Sequence, residues 1–424
     1  MNNFRILFDL QLKHSAKLLR GGNPKGLIYP FWSFAQSMQA LRIRSTYKKL
    51  KSDQAKPIWL YSERINAAGD NAEAFFEYCV KARPDIEHIF IINNDSPDAE
   101  RLQKLGRTVE VKSYDHKLLF LLAEKCFLSH PEVCFLNPFG SKENCYKDLP
   151  RPDLVFLQHG ITQNDLSAWL NKEAMGFSLI VTAAQKEYDS FLDAPYGYTK
   201  ENLIKCGMPR FDKLKNSPKN KVIIMPTWRQ NLAGAENPRN NLRDYNPKFK
   251  KSEYYKFYND LINDDRVIEA MQDHGVSGEF YLHSSHEAQV DDFAGNSVFK
   301  IMRPPYDYNK AFAEGNLLVT DYSSVAFDFA YLEKPVLYCP FDRDSIYGGN
   351  HISTKNYISA ERDGFGPVVT DYESTVTEII KFIKNNFKMT PIYQKRAREF
   401  YFYHDHKNCE RLLRAIEKFD RNRL

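Results

Sequence analysis

The sequence predicts an α/β protein with two Rossmann-like, doubly wound parallel sheets facing a shared cleft, preceded by a basic amphipathic helical arm. Three observations predict it. From residue 57 onward, short apolar runs alternate with stretches of helical periodicity, the pattern of a parallel sheet with helices on both faces. The alternation stops at a Lys/Asn/Pro-rich gap, residues 213–221, and then restarts, giving two halves in a chain of 424 residues. The first 56 residues hold eleven Lys/Arg against two Asp, while the whole chain carries only +5, so a basic arm precedes a slightly acidic body.

Taken in order, residues 1–50 read as helical, with Phe4, Leu7, Phe8, Leu12, Leu18 and Leu19 near one face and a break at Gly21-Gly22-Asn23-Pro24. The aromatic run from Tyr29 to Phe34 is followed by Arg42, Arg44, Lys48, Lys49 and Lys51. Aromatic and basic residues together suit an anionic bilayer interface; the competing reading is a packing helix with a solvated basic face. Strands are expected at 57–61, 88–92, 109–111, 125–128, 154–158 and 179–182, with a helix at 72–83. After the gap they are expected at 222–225, 279–283, 298–302, 317–320, 335–339 and 367–369. The polar stretch 231–253 reads as an excursion near the cleft, and 391–423 as a helical, basic tail. The expected divisions are therefore 1–56, 57–212, 213–390 and 391–424.

Composition narrows the function. Seven cysteines, an odd number with no Cys-x-x-Cys pair, argue against a disulfide framework or zinc ribbon and for a reducing cytoplasm. No run of about 18 apolar residues is present, so no transmembrane helix is expected. The early apolar positions are broken by Arg5, Asp9, Lys13 and Lys17, unlike a signal peptide. Gly-x-Gly-x-x-Gly and Walker motifs are absent, so a dinucleotide or ATP enzyme is not supported, and the absence of nucleic-acid motifs counts against a nucleic-acid protein.

Ligands of doubly wound sheets bind beyond the carboxyl ends of the strands, and four motifs fall there. Gln158-His159-Gly160 offers a histidine with a pKa suited to a general base, and a glycine that lets the backbone turn and approach a ligand. Met225-Pro226-Thr227-Trp228-Arg229 offers a hydroxyl and a guanidinium fork suited to phosphate, or else a structural turn over a buried Trp. Leu282-His283-Ser284-Ser285-His286 offers His283 as a catalytic or phosphate-contacting group; no third ligand accompanies the two histidines, so a metal is not expected. Thr320-Asp321-Tyr322-Ser323-Ser324 precedes an apolar helix at 326–332, where hydroxyls and orphan N–H groups suit an anion or simply cap the helix. Asp321 reads as structural. Lesser signals are Gly207-Met208-Pro209-Arg210-Phe211-Asp212, with Arg210 near the cleft, and Gly364-Phe365-Gly366-Pro367.

In this order, together with Val325-Ala326-Phe327-Asp328 and Lys334-Pro335, the motifs over residues 150–415 resemble the CDP-glycerol glycerophosphotransferase family, the teichoic-acid and capsule polymerase-like enzymes. The resemblance implies a GT-B-type fold and peripheral association with the cytoplasmic face of the membrane. It implies transfer of glycerol phosphate, or a related polyol phosphate, from CDP-glycerol or CDP-ribitol to a polymer or lipid-linked acceptor, with release of CMP. His159 is then the base on the acceptor hydroxyl. His283, Ser323 and Ser324 contact the donor diphosphate, with Thr227, Arg229, Arg210 and Asp321 around them and Gly160 and Arg411 as further candidates. No Asp-x-Asp cluster is present, so no obligatory metal or other cofactor is expected. Many members follow His-Gly with Pro and Lys; here the run is Ile161-Thr162-Gln163-Asn164-Asp165, which leaves a capsule-type polymer or a ribitol donor open. The alternatives are a nucleotide-sugar glycosyltransferase of the same architecture, which would release a nucleoside diphosphate, and a non-catalytic membrane or nucleic-acid-binding protein.

Overall fold

Each strand of the computed structural model runs parallel to its neighbours, and the strands form two sheets. The structure describes residues 25–235, 243–343 and 356–423. The chain enters on helix α1 (Lys25–Asp53) and then β1 (Ile58–Ser62), α2 (Asn71–Ala82), β2 (Glu87–Ile91) and β3 (Arg107–Val109). Helix α3 (Tyr114–Leu122), β4 (Lys125–Leu128), β5 (Asp153–Phe156), β6 (Leu179–Thr182) and β7 (Leu203–Lys205) complete the first sheet, in the order β3-β2-β1-β4-β5-β6-β7. Strands β8 (Lys221–Ile224), β9 (Ser277–Phe280), β10 (Phe299–Ile301), β11 (Leu317–Thr320) and β12 (Val336–Tyr338) form the second, ordered β10-β9-β8-β11-β12. Helix α4 (Val325–Tyr331) follows β11, and α5 (Pro391–Phe400) and α6 (Asn408–Arg421) end the chain.

In both sheets the winding direction reverses once, between β1 and β4 and between β8 and β11. Such switch points open a crevice at the carboxyl edge of a sheet. The strands beside them are buried along their length, which is why they read as unbroken apolar runs rather than alternating ones.

The motif Gly207–Asp212 ties the two sheets together. Gly207 has φ +85°, and a Cβ there would lie 2.2 Å from the Asn408 side chain, so only glycine fits. Asp212 accepts from the N–H groups of Asn408 and Cys409 at 2.8 Å, capping α6 from nearly two hundred residues away. Cys409, Leu412, Leu413 and Ile416 of α6 are buried with Phe75 of α2 and Val155 of β5, so the chain finishes on the first sheet. Arg210 donates to both Asp328 oxygens (2.6 and 2.8 Å) and to Asp70 (2.7 Å), joining α4 beside the second sheet to the cap of α2 beside the first.

Several elements differ from expectation. The segment 367–369 makes only an isolated parallel bridge to Tyr338, because Pro367 has no N–H to extend a ladder. Strand β7 went unanticipated, being three residues long with an exposed Lys205 at its end. The tail is helical as expected, in two helices separated by residues 401–407. The apolar face expected at residues 4–19 and the break at 21–24 lie outside the described residues, as do 236–242 of the polar excursion. Farther along α1, Ala40, Ile43 and Tyr47 are buried with Leu118 and Leu119 of α3, and Arg44 grips Asp148 at 2.6 Å. Met38, Leu41, Arg42, Lys48, Lys49 and Leu50 are exposed. No helix among the described residues is long and apolar enough to cross a membrane.

Candidate active site

The carboxyl edges of β1, β4 and β5 set three side chains in a row. Parallel pairing aligns Ser62 with Leu128 and Leu128 with Phe156. Two or three residues beyond those positions stand Arg64, His130 and His159. The expected sharp turn is at Gln158, which has φ +62°, and not at Gly160. Gln158 is held there by its own amide, which donates to the Val181 carbonyl (2.6 Å) and Glu187 (3.0 Å) and accepts from the Thr162 hydroxyl (2.7 Å). A non-glycine residue fixed in this region is a mark of functional sites. The kink throws His159 out of the sheet, where its ring stacks on His130 with centroids 4.4 Å apart. His130 in turn lies 3.7 Å from Asp70.

The His159 imidazole remains open to solvent on one side. The surrounding walls and the positive charges of Arg64 and Arg210 push its pKa down to about 4, opposed by a hydrogen bond to the Ser129 backbone. It is therefore neutral, and able to accept a proton, at neutral pH.

The second sheet supplies the facing edge. Asp321, buried just past β11, accepts from the backbone N–H of Thr227 (2.8 Å) and of Tyr322 (2.6 Å), the Tyr258 hydroxyl (3.2 Å) and Arg229 (2.7 Å). This carboxylate fixes the turns after β8 and β11 to one another, the structural part expected of it. Arg229 is also bound to Asp342 at 2.7 Å and to the Thr227 carbonyl, so its guanidinium is spent on internal partners. Arg210 is likewise committed to Asp328 and Asp70. Both arginines hold carboxylates where a phosphate was expected.

The Thr227 hydroxyl is buried and, among the described residues, has no hydrogen-bond partner. Ser323 accepts weakly from the Val325 N–H at 3.4 Å, and Ser324, at the start of α4, makes no capping bond. These hydroxyls are not consumed by the helix they precede. His283 accepts from the Ser285 N–H through Nδ1 (3.1 Å), which leaves its Nε2 carrying the proton as a donor. Burial and the charges of Arg64 and His286 push its pKa to about 3. His286 faces inward, to the Arg229 backbone.

The two edges meet at Gly160. A Cβ on Gly160 would stand 2.7 Å from the Ser324 hydroxyl, so the chain after β5 passes directly against the start of α4. His159, Gly160, Ser323, Ser324, Thr227 and His283 thus gather around the facing edges. Arg411 does not join them: its partners are Cys206, Asn408, Asp405 and the Tyr403 ring, on the α6 side of the first sheet. Sequence reasoning missed Arg64 and His130. Each is a charged or titratable residue directly after an apolar run, the same signal that singled out His159.

Residues 43–418 match the family of CDP-glycerol:poly(glycerophosphate) glycerophosphotransferases. The chain is 37% identical to the minor teichoic acid biosynthesis protein GgaB of Bacillus subtilis (strain 168), over 91% of this chain and 42% of that protein. It is 24% identical to a teichoic acid poly(glycerol phosphate) polymerase of Staphylococcus epidermidis, over 83% of this chain and 48% of that one. The chain thus spans about half the length of the curated relatives it matches. A solved structure of the wall teichoic acid polymerase TagF, H548A, shares the fold at TM-score 0.64 and 15% identity, covering 92% of this chain and 99% of that one. The family match spans both sheets, and the chain belongs to the CDP-glycerol:poly(glycerophosphate) glycerophosphotransferase family.

Proposed function

We propose that this chain transfers an alcohol phosphate, glycerol phosphate or ribitol phosphate, from a CDP-linked donor to a hydroxyl of a growing teichoic-acid or capsule-type polymer. The observation that best supports this is the close approach, in a member of this family, of Gly160, the neighbour of His159, to the Ser324 hydroxyl at the start of α4. In this reading the sheets form a GT-B-type pair of domains, residues 57–212 on the acceptor side and 213–390 on the donor side. The exposed Met38, Leu41, Arg42, Lys48 and Lys49 of α1 would rest on the anionic cytoplasmic face of the membrane.

The acceptor hydroxyl attacks the phosphorus bonded to the donor alcohol, its proton passes to His159, and the bond to CMP breaks. The charge that develops on the departing CMP is met by donors already in place: Ser323, Ser324, Thr227 and the Nε2–H of His283. Arg210 and Arg229 act by holding the turns that present these groups.

The test is CMP release by the purified protein, offered CDP-glycerol and CDP-ribitol separately with an acceptor oligomer. A nucleoside diphosphate released from nucleotide sugars, with no CMP, would instead indicate a glycosyltransferase. Because the base is neutral imidazole and its pKa lies near 4, CMP release is expected to persist well below pH 6.5 and to fail only as pH drops through that lowered value. An acidic limb at the ordinary histidine value would show that the base is not held at the lowered pKa. Gly160→Ala is expected to displace Ser324 and lower turnover by on the order of 10²-fold, since a shift of about 1 Å has that effect. Unchanged turnover in G160A would mean that the two edges separate during the reaction.

A further inference from the structure

We propose that Arg64 is the cation that grips a substrate phosphate between the facing sheet edges. The inference rests on the transferase reading for the identity of that substrate, and on the geometry for the site. Arg64 stands two residues past β1, at the switch point of the first sheet, beside His130 and in the row that ends at His159. Its loop is pinned through backbone contacts: the Arg64 N–H donates to Ala67, the Ile65 carbonyl accepts from Asn93 (2.9 Å), the Asn66 carbonyl accepts from Ser96 (2.8 Å), and the Ala68 N–H donates to Asp98 (2.9 Å). The side chain is exposed, and among the described residues it has no hydrogen bond or ion pair. A rigid backbone therefore presents a guanidinium with no direct partner among the described residues, its charge acting on Asp70 only at longer range.

The two other arginines of the site differ in this respect. Arg210 faces Asp70 and Asp328, and Arg229 faces Asp321 and Asp342. A diphosphate brings about two negative charges and needs fixed counter-charge in a site that excludes water. Arg64 has that charge to give, and its planar fork matches two phosphate oxygens at once. Its field reaches both edges: it lowers the pKa of His130 and His159 on the first sheet and of His283 on the second, and it opposes the rise at Tyr308, an exposed residue beyond β10. Its place in the row past β1, β4 and β5 sets that charge on the edge that faces the second sheet.

The test uses the full chain as wild type, Arg64→Ala and Arg64→Lys. Equilibrium binding of CDP and of CDP-glycerol is measured by calorimetry, and CMP release is followed against acceptor concentration. R64A is expected to raise one dissociation constant or KM by about 10- to 100-fold, the worth of a charged hydrogen bond. R64K is expected to recover part of the loss, and the melting temperature to stay unchanged, because the side chain has no partner to lose. Weaker CDP and CDP-glycerol binding assigns the donor phosphate; intact donor binding with a raised acceptor KM assigns the phosphodiester of the acceptor. Equal constants for both substrates in R64A and wild type overturn the proposal, as does failure of the wild type to bind CDP or CDP-glycerol at all. A wild type that binds CDP through Arg64 but releases no CMP overturns the transferase reading and leaves this assignment standing.

Discussion

Replacing His159 with alanine is expected to slow CMP release by about 10²- to 10⁴-fold, the usual contribution of a positioned general base. The structure makes this a clean experiment. The residue is exposed, its ring stacks on His130 and bonds the Ser129 backbone, and the bond from Arg210 goes to the His159 carbonyl, which alanine retains. Stability is therefore expected to stay within about 0.5 kcal/mol of wild type, as for surface substitutions. Donor binding is expected to persist, because the hydroxyls of Ser323, Ser324 and Thr227 are untouched. Single-turnover CMP release and a thermal melt on the same preparation decide the matter. A rate within about 10-fold of wild type would place the base elsewhere, and His130 would become the first alternative.

The second large effect is on folding. Arg229 and Asp321 are each 2% exposed, and Arg229 also holds Asp342. Arg229→Ala would leave two carboxylates facing each other without a counter-charge, and breaking a buried pair in this way costs about 3–5 kcal/mol. Lysine keeps the charge but not the fork, so R229K is expected to fall between the two. The cost would appear in function as well: Asp321 anchors the N–H groups of Thr227 and Tyr322, so the turns after β8 and β11 would loosen together. Urea unfolding gives the first number. An R229A protein as stable as wild type would show that Asp321 and Asp342 do not depend on it, and would return Arg229 to the role of a phosphate ligand.

The sequence announced the strands at 125–128, 179–182 and 317–320 residue for residue, because fully buried parallel strands are unbroken apolar runs. It also pointed to the carboxyl edges of the sheets, where His159, His283 and Ser323 lie just past such runs. What each side chain would touch was not legible. Arg229 and Asp321 are 92 residues apart, and Arg210 and Asp328 are 118 apart. Nothing local says that one charge will find the other, so both arginines read as phosphate ligands. The same limit hid the cap on α6, whose carboxylate belongs to Asp212. The kink at Gln158 was missed for another reason: glycine is the ordinary sign of a left-handed residue, and here a network of buried amide bonds sustains one without it.

The return of α6 to the first sheet has a mechanical consequence. The backbone crosses between the sheets twice, after Asp212 and again before Asn408, and the crossings run side by side: His406 bonds the Phe211 carbonyl at 2.9 Å and Asp212 bonds Asn408 at 2.8 Å. A single tether would act as a ball joint, leaving the halves free to swivel and slide. Two tethers laced together act as a pinned hinge, with Arg210 bracing the same spot. That lacing, with Tyr357 bonding the Gln163 carbonyl (2.9 Å) and Asp193 (2.7 Å) as a further tie, restrains the halves against sliding past one another.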